Sequence, residues 1–255
     1  MKIIASDFDG TLCHPTDGVR ASDISAIRTW RAQGHQFGIA TGRGLNLIAN
    51  VAADYDIPCD FFVCANGAVI ADQKGRLLAT HTLSDDLLQD LFQYPMVKLS
   101  HYLICSTPQQ AFIAYPYGPY PLDLVGFDIT ECSVAELQQL TGVVQMSLHY
   151  DSHEEAERAG QTIARHYAKQ LTAKANGPYL DLTLYGIDKA AGLTEMLQLR
   201  EAEATLYTIG DDDNDLPMLE RFHGYTVPNG SPAAKQVADD VCPSVGALIN
   251  KILAV

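Results

Sequence analysis

The stretch Asp7-Phe8-Asp9-Gly10-Thr11 decides how this chain reads. It follows the short apolar run Lys2 to Ser6, in which Ile3-Ile4-Ala5 has the pattern of a fully buried strand. Gly10 and Thr11 end that strand in a turn. Open α/β sheets bind ligands at the carboxyl ends of their strands. An even separation along an extended strand puts two side chains on one side, so Asp7 and Asp9 can face a single site. Two such anions repel. A shared proton or a hard divalent cation relieves the repulsion, and Mg2+ suits a site with few carboxylates and a phosphorylated substrate. Asp-x-Asp-Gly also occurs in ordinary turns, where aspartates cap amides and glycine supplies positive φ.

Working outward, three further elements accompany it. Thr41-Gly42-Arg43 follows an apolar strand, Phe37 to Ala40; Lys189 opens a helix; Gly210-Asp211-Asp212-Asp213-Asn214-Asp215 follows a strand over Leu206 to Ile209. Between them the pattern alternates. The spacing predicts a helix from Ala21 to Gly34 with Ser22 as N-cap, a helix from Leu45 to Tyr55, and a third buried strand, Phe61 to Ala65. Such alternation is what a parallel, right-handed α/β sheet requires. Residues 68–71 and 76–81 flank a polar turn and read as a hairpin.

From about Ser84 the pattern no longer fits a doubly wound sheet. A helix over Asp85 to Phe92, strands near Val97 to Cys105 and Ala111 to Tyr115, a short helix over Val134 to Leu140, a strand over Val143 to Tyr150 and a longer helix over Glu154 to Tyr167 lead to segments around Gly177-Pro178. The expected organisation is a core of residues 1–82 and 186–255, interrupted by a separate domain, 83–185.

These four motifs, in this order, resemble those of the haloacid dehalogenase-like phosphatase superfamily, and within it the Cof-type hydrolases, whose cap is inserted between the second and third motifs. The resemblance spans essentially the whole chain. It implies an α/β fold with a Rossmann-like three-layer core around a parallel sheet and an inserted α+β cap that sets substrate specificity. It implies Asp7 as nucleophile, Asp9 as the acid that protonates the leaving oxygen and then deprotonates water, and Lys189 as the cation holding phosphate beside Asp7. Mg2+ is implied at Asp7, Asp211 and the backbone carbonyl of Asp9, with Asp215 orienting metal-bound water. Asn214 would contact phosphate or support the metal shell. Thr41 and Gly42 would offer a hydroxyl and an amide to the transferring phosphoryl group, and Arg43 would contact substrate phosphate. Asn66-Gly67 matches the family's Asn-Gly segment, with Asn66 either a substrate contact or a simple turn residue.

The implied activity is hydrolysis of a small phosphorylated metabolite, a sugar phosphate above all, through an aspartyl-phosphate. A phosphomutase or phosphotransferase using the same site, and a non-catalytic metal-dependent binding protein, are the alternatives. Dehalogenation is disfavoured, since it needs no metal and the acidic loop provides for one. Three consecutive aspartates, 211 to 213, stand where family members often carry a small or neutral residue, which leaves Asp212 and Asp213 without an assigned role. That loop lacks the glycine and terminal glutamate of an EF-hand, and a solvated helix N-terminus also favours acidic residues.

Composition narrows the classes. With 255 residues and 47% hydrophobic content, the chain can bury one large core or two modest ones. A formal net charge of −14 argues against nucleic acid, whose binding needs clustered Lys and Arg. The expected location is cytoplasmic, with no membrane partner, because the start turns acidic too soon for a signal peptide and no apolar run reaches spanning length. Six scattered cysteines include no Cys-x-x-Cys pair and read as reduced, mostly buried thiols. His149 and His153 have helical metal-pair spacing, but Asp151-Ser152 between them reads as a helix cap. The stretch Tyr115 to Pro121 reads first as a rigid surface loop, the alternative being that its rings pack over a sugar or flat ligand.

Overall fold

In the computed structural model, which describes residues 1–14, 16–118, 128–200 and 203–254, strand Lys2–Ser6 lies near the middle of an eight-stranded sheet. The strand order is 240–241, 223–226, 205–210, 2–6, 36–40, 61–64, 69–72 and 77–80. The first six run parallel, and the last two turn back as the antiparallel hairpin expected around Asp72-Gln73-Lys74-Gly75.

Alternation along these strands builds three layers. Ile4, Phe37, Ile39 and Phe62 pack on one face against Ile27 and Trp30 of helix Ala21–Ala32, Ile48 of Leu45–Asp54, and Leu248 and Ile252 of Val245–Leu253. Ile3, Ala5, Ala40 and Val63 pack on the other face against Leu193 and Met196 of helix Lys189–Gln198 and Met218 of Leu216–Arg221. Covered on both faces, the strands read as continuous apolar runs.

Residues 103–184 build a second sheet of six strands, ordered 129–131, 111–114, 103–106, 145–149, 179–184 and 171–176. All its pairings are antiparallel except that between 129–131 and 111–114. Leu103, Cys105, Met146, Leu148, Leu180 and Leu182 point to a cluster with Leu88 and Leu91 of helix Asp85–Gln93 and Ile163 of His153–His166. By the same alternation Ile104, Ser106, Gln145, Ser147, Tyr179 and Asp181 point the other way, over the carboxyl ends of the core strands.

Two expectations need correction, and the reading of Asp151-Ser152 as a helix cap agrees with the structure. The N-cap of the first helix is Arg20, whose side chain makes no capping bond; Ser22 lies within the first turn. Residues 95–98 form a helical turn, because Pro95 starts one readily and Val97 is buried by it, so the strand begins only at Leu103. His149 and His153 share no helix: His149 ends a strand, while Ser152 caps the helix that His153 begins. Of the Tyr115 to Pro121 stretch, residues 119–121 lie outside the described residues, and Tyr117 is exposed. The six cysteines are free thiols, and no described helix is long and apolar enough to cross a membrane.

Candidate active site

Asp7 comes directly after strand Lys2–Ser6, and its N–H donates to the Ile209 carbonyl of the neighbouring strand at 2.8 Å, which aligns the first motif with the acidic loop. Gly10 makes the turn. Its φ is +80°, and a Cβ there would lie 2.3 Å from Oδ2 of Asp211, so no side chain fits between the two motifs. Thr11 Oγ1 donates to Oδ1 of Asp211 at 2.5 Å.

Asp188 caps helix Lys189–Gln198 by accepting from the Ala191 N–H, which puts Lys189 in the first turn. A cation there opposes the helix dipole, yet Lys189 is only 1% exposed. Its compensation is local: Nζ donates to Asp7 Oδ1 at 2.7 Å and to Asp215 Oδ1 at 2.6 Å. Asp215 in turn accepts the N–H groups of Asp211 (2.9 Å) and Asp212 (3.1 Å) on Oδ2, so it braces the acidic loop as well as the lysine. Among the described residues, Asp7, Asp211 and Asp215 are the one acidic group whose ligand atoms lie within 4.8 Å of one another.

Three buried or half-buried carboxylates share one ammonium. Burial pushes the Asp7 carboxyl well above the usual aspartate range; Lys189 opposes this, while Asp215, Asp211 and Asp9 add to it. Asp211 is pushed up to about 6, again by burial first, with its Thr11 hydrogen bond pulling the other way. Burial works against the Lys189 charge, but Asp215 and Asp7 outweigh it and hold its pKa above the ordinary lysine value.

Asp9 is more open, its side chain 55% exposed. Arg43 grips it with a two-pronged fork, Nε to Oδ2 at 2.7 Å and a terminal nitrogen to Oδ1 at 2.6 Å, while the guanidinium lies over the Phe8 ring. Thr41 is buried, and its Oγ1 accepts the Arg43 N–H at 3.1 Å. The Asn66 carboxamide reaches across to the second sheet, with Nδ2 donating to Asp181 Oδ2 (2.8 Å) and Gln145 Oε1 (3.1 Å). Gln145 Nε2 donates to the Gly42 carbonyl at 3.2 Å. Between the two sheets lies a cavity of about 580 Å³, with Asp7, Asp9 and Asp211 on one wall and Ser106, Gln145, Ser147 and Asp181 on the other; Leu47, Ile104 and Ile129 give it apolar stretches.

A model of haloacid dehalogenase-like hydrolases matches residues 4–247. The chain belongs to this family. The hydrolase is 25% identical over 252 residues to the 5-amino-6-(5-phospho-D-ribitylamino)uracil phosphatase YitU of Bacillus subtilis, covering 93% of this chain and 90% of the relative. Among solved structures, the subclass IIB sugar phosphatase BT4131 superposes with a TM-score of 0.82 at 20% identity, over all of this chain and 98% of that one. A haloacid dehalogenase-like hydrolase from B. subtilis gives 0.82 at 22% identity over the full length of both.

Every core residue singled out in the sequence of this hydrolase lies at or beside the cavity, though not always facing it. Asp7, Asp9, Thr41, Gly42, Arg43, Asp211 and Asn214 line it. Lys189 and Asp215 stand behind Asp7, and Asn66 joins the two walls. Two differences matter. Arg43, expected at substrate phosphate, holds Asp9. Asn66, expected at substrate or in a turn, spends its carboxamide on Asp181, Gln145 and, through Oδ1, Asn214 at 3.2 Å. Of the aspartates without an assigned role, Asp212 lines the cavity, while Asp213 accepts from Ser231 and stands 4.0 Å from His153 of the capping segment.

The sequence reading missed Thr11, Gln145, Ser147 and Asp181. The last three lie on period-2 strands whose polar residues look solvent-facing, and only the facing sheet turns that side into a wall.

Proposed function

We propose that the hydrolase is a Mg2+-dependent phosphatase of small phosphorylated metabolites, sugar phosphates foremost, working by double displacement through Asp7. The observation that carries this reading is the Lys189 ammonium wedged between Asp7 and Asp215, with Asp211 completing a cluster that faces the cavity.

The cluster fits a hard divalent cation. Its donors are all carboxylate oxygens, a set that suits Mg2+, and burial, with the neighbouring carboxylates adding to it, raises Asp7 and Asp211, so that a cation between them would favour their charged forms. Asp7, Asp211 and Asp215 would hold the ion, with the Asp9 carbonyl beside them. When bound, it offsets charge on the carboxylates and on the incoming phosphate.

In the first half-reaction, an Asp7 carboxylate oxygen attacks phosphorus as the bond to the leaving oxygen breaks, and Asp9 gives that oxygen its proton. In the second, Asp9 takes a proton from water as the water oxygen displaces Asp7 from phosphorus. Lys189 holds Asp7 in place and supplies fixed positive charge to the transferring group. Asp9 begins each cycle in the grip of Arg43, a fork that also matches phosphate oxygens. Arrival of the phosphate draws Arg43 onto it and frees Asp9, which takes up from solvent the proton that it then gives to the leaving oxygen. Residues 83–185 act as a cap that closes over the core, 1–82 and 186–255, and excludes water during transfer.

The names of the relatives support a phosphorylated polyol or sugar as the substrate class, its alcohol being the leaving group. The test is phosphate release from sugar phosphates, nucleotides and phosphorylated cofactors, with and without Mg2+, beside an Asp7→Asn control. Release that requires both Mg2+ and Asp7 is the expected result. A positional isomer of the sugar phosphate in place of free phosphate would make the protein a mutase instead.

A further inference from the structure

The Asn66 carboxamide sits where three parts of the molecule meet. Its donors face the cap, on Asp181 and Gln145, and its acceptor faces the acidic loop, on Asn214, one residue before Asp215. Its backbone N–H donates to the Thr41 carbonyl at 3.0 Å, and Gln145 bonds the Gly42 carbonyl, so the second motif is tied to the same point. All the partners are buried: Asn66, Gln145, Asn214 and Asp181 are each at most 9% exposed.

The backbone there is unusual. Ala65 and Asn66 both have φ near +50°, a conformation side chains rarely adopt and that surrounding structure must enforce. Gly67 follows with φ +100°, and a Cβ on it would lie 2.1 Å from the Asp188 carbonyl at the start of the Lys189 helix. The turn is thus pressed against the element carrying Lys189 while it presents one side chain to the cap. With both amide hydrogens donated to the cap, the carboxamide has no donor left for substrate.

From this geometry we infer that Asn66 is a positioning residue that couples seating of the cap to the arrangement of the acidic loop. Asp181 and Gln145 of the closed cap fix the carboxamide, and the carboxamide fixes Asn214 beside the site. When the cap lifts, water replaces the two cap acceptors and the loop loses its anchor. The kinetic consequences rest on the phosphatase reading above; the seating of the cap does not.

The test is a polarity swap. Asn66→Asp sets a carboxylate against that of Asp181, and adding Asp181→Asn restores a donor and acceptor with their direction reversed. Kinetics on a hydrolysed sugar phosphate are expected to show Asn66→Asp lowering kcat roughly 100-fold with little change in KM, and the double variant recovering at least about tenfold. Gln145→Met keeps the side-chain volume and deletes all three of its side-chain bonds, to Asn66, Gly42 and Ser147; a roughly tenfold loss in kcat there tests the same coupling should Asn66→Asp not fold. Losses that multiply in the double variant, or a rise in KM at constant kcat, would overturn the inference, the latter by making Asn66 a substrate contact. Small-angle scattering on the same proteins, with Mg2+ and orthovanadate, separates the two readings. An expanded Asn66→Asp protein and a compact double variant support the coupling even if the wild type releases no phosphate, a result that would defeat only the phosphatase reading. Identical scattering from wild type and Asn66→Asp overturns the coupling.

Discussion

On the core wall of the cavity, Lys189 joins Asp7 and Asp215 through ionic hydrogen bonds of 2.7 and 2.6 Å; on the cap wall, Asp181 takes its hydrogen bonds from neutral groups, Ser147 and Asn66. Asp7 and Asp181 are both buried, and burial raises the pKa of each, but only the core wall sets a full charge against its carboxylate at bonding distance. Under the proposed mechanism the difference follows from what each wall has to do. Charge moves on the core wall during phosphoryl transfer, and a fixed ammonium in a water-poor site is an effective stabiliser of such movement. In the proposed cycle the cap wall has to part and rejoin. A hydrogen bond from a neutral donor to a carboxylate is worth about 1.5–3 kcal/mol and water can replace it, whereas breaking a buried ion pair costs about 3–5 kcal/mol.

Substitutions on the two walls should therefore fail differently. Asp7→Asn is expected to lower kcat by about 10⁴-fold or more, since it removes the attacking group itself, and phosphate release assays check it. An active Asp7→Asn protein would remove the basis for assigning chemistry to the core wall. Lys189→Met leaves Asp7 and Asp215 buried without their cation. It should destabilise the metal-free protein by roughly 3 kcal/mol or more in urea titrations, with Mg2+ restoring part of the loss.

The pH response sharpens the contrast. Asp211 titrates near 6 when folded and near 3.8 when unfolded, so between these values the folded protein holds the extra proton. The contribution of Asp211 to metal-free stability is greatest below about pH 4 and falls as pH rises through about 6. Mg2+ affinity runs the opposite way, because the ion competes with that proton; it should strengthen about tenfold between pH 5 and pH 7 in calorimetric titrations. A flat affinity across that range would show that Asp211 lies outside the metal site.

The smallest effect belongs to the cap. Ser147→Ala removes one bond to the Asp181 carboxylate and one from Gln145 and should cost about 1.5 kcal/mol in stability, while reordering the kcat/KM ranking of a sugar phosphate panel. If it instead abolished turnover of every substrate alike, the two walls would not differ as argued.

The core wall was legible in the sequence because its residues sit at places that chemistry and topology both mark: the carboxyl end of a strand for Asp7 and Asp211, the first turn of a helix for Lys189. The three layers were equally legible, since strands covered on both faces are written as unbroken apolar runs. The cap wall left no such mark. Gln145, Ser147 and Asp181 alternate with apolar residues as any half-exposed strand would, and nothing local records that a second domain covers them. The Arg43 grip on Asp9 is a pairing across 34 residues with no motif to announce it. Pro95 and Val97 show the opposite failure, where a β-prone run, Val97 to Cys105, conceals a helical turn started by proline.

Strand Lys2–Ser6 pairs on one side with Gln36–Ala40 and on the other with Thr205–Gly210, and the whole six-stranded second sheet is made between those two events. At about 5–20 residues per second of synthesis, the first strand waits roughly 10–40 s for its later neighbour. The second sheet, built from one unbroken segment, can be complete before that neighbour leaves the ribosome. Birth order is then the reverse of dependence: the lid takes shape first, and the vessel it covers closes last.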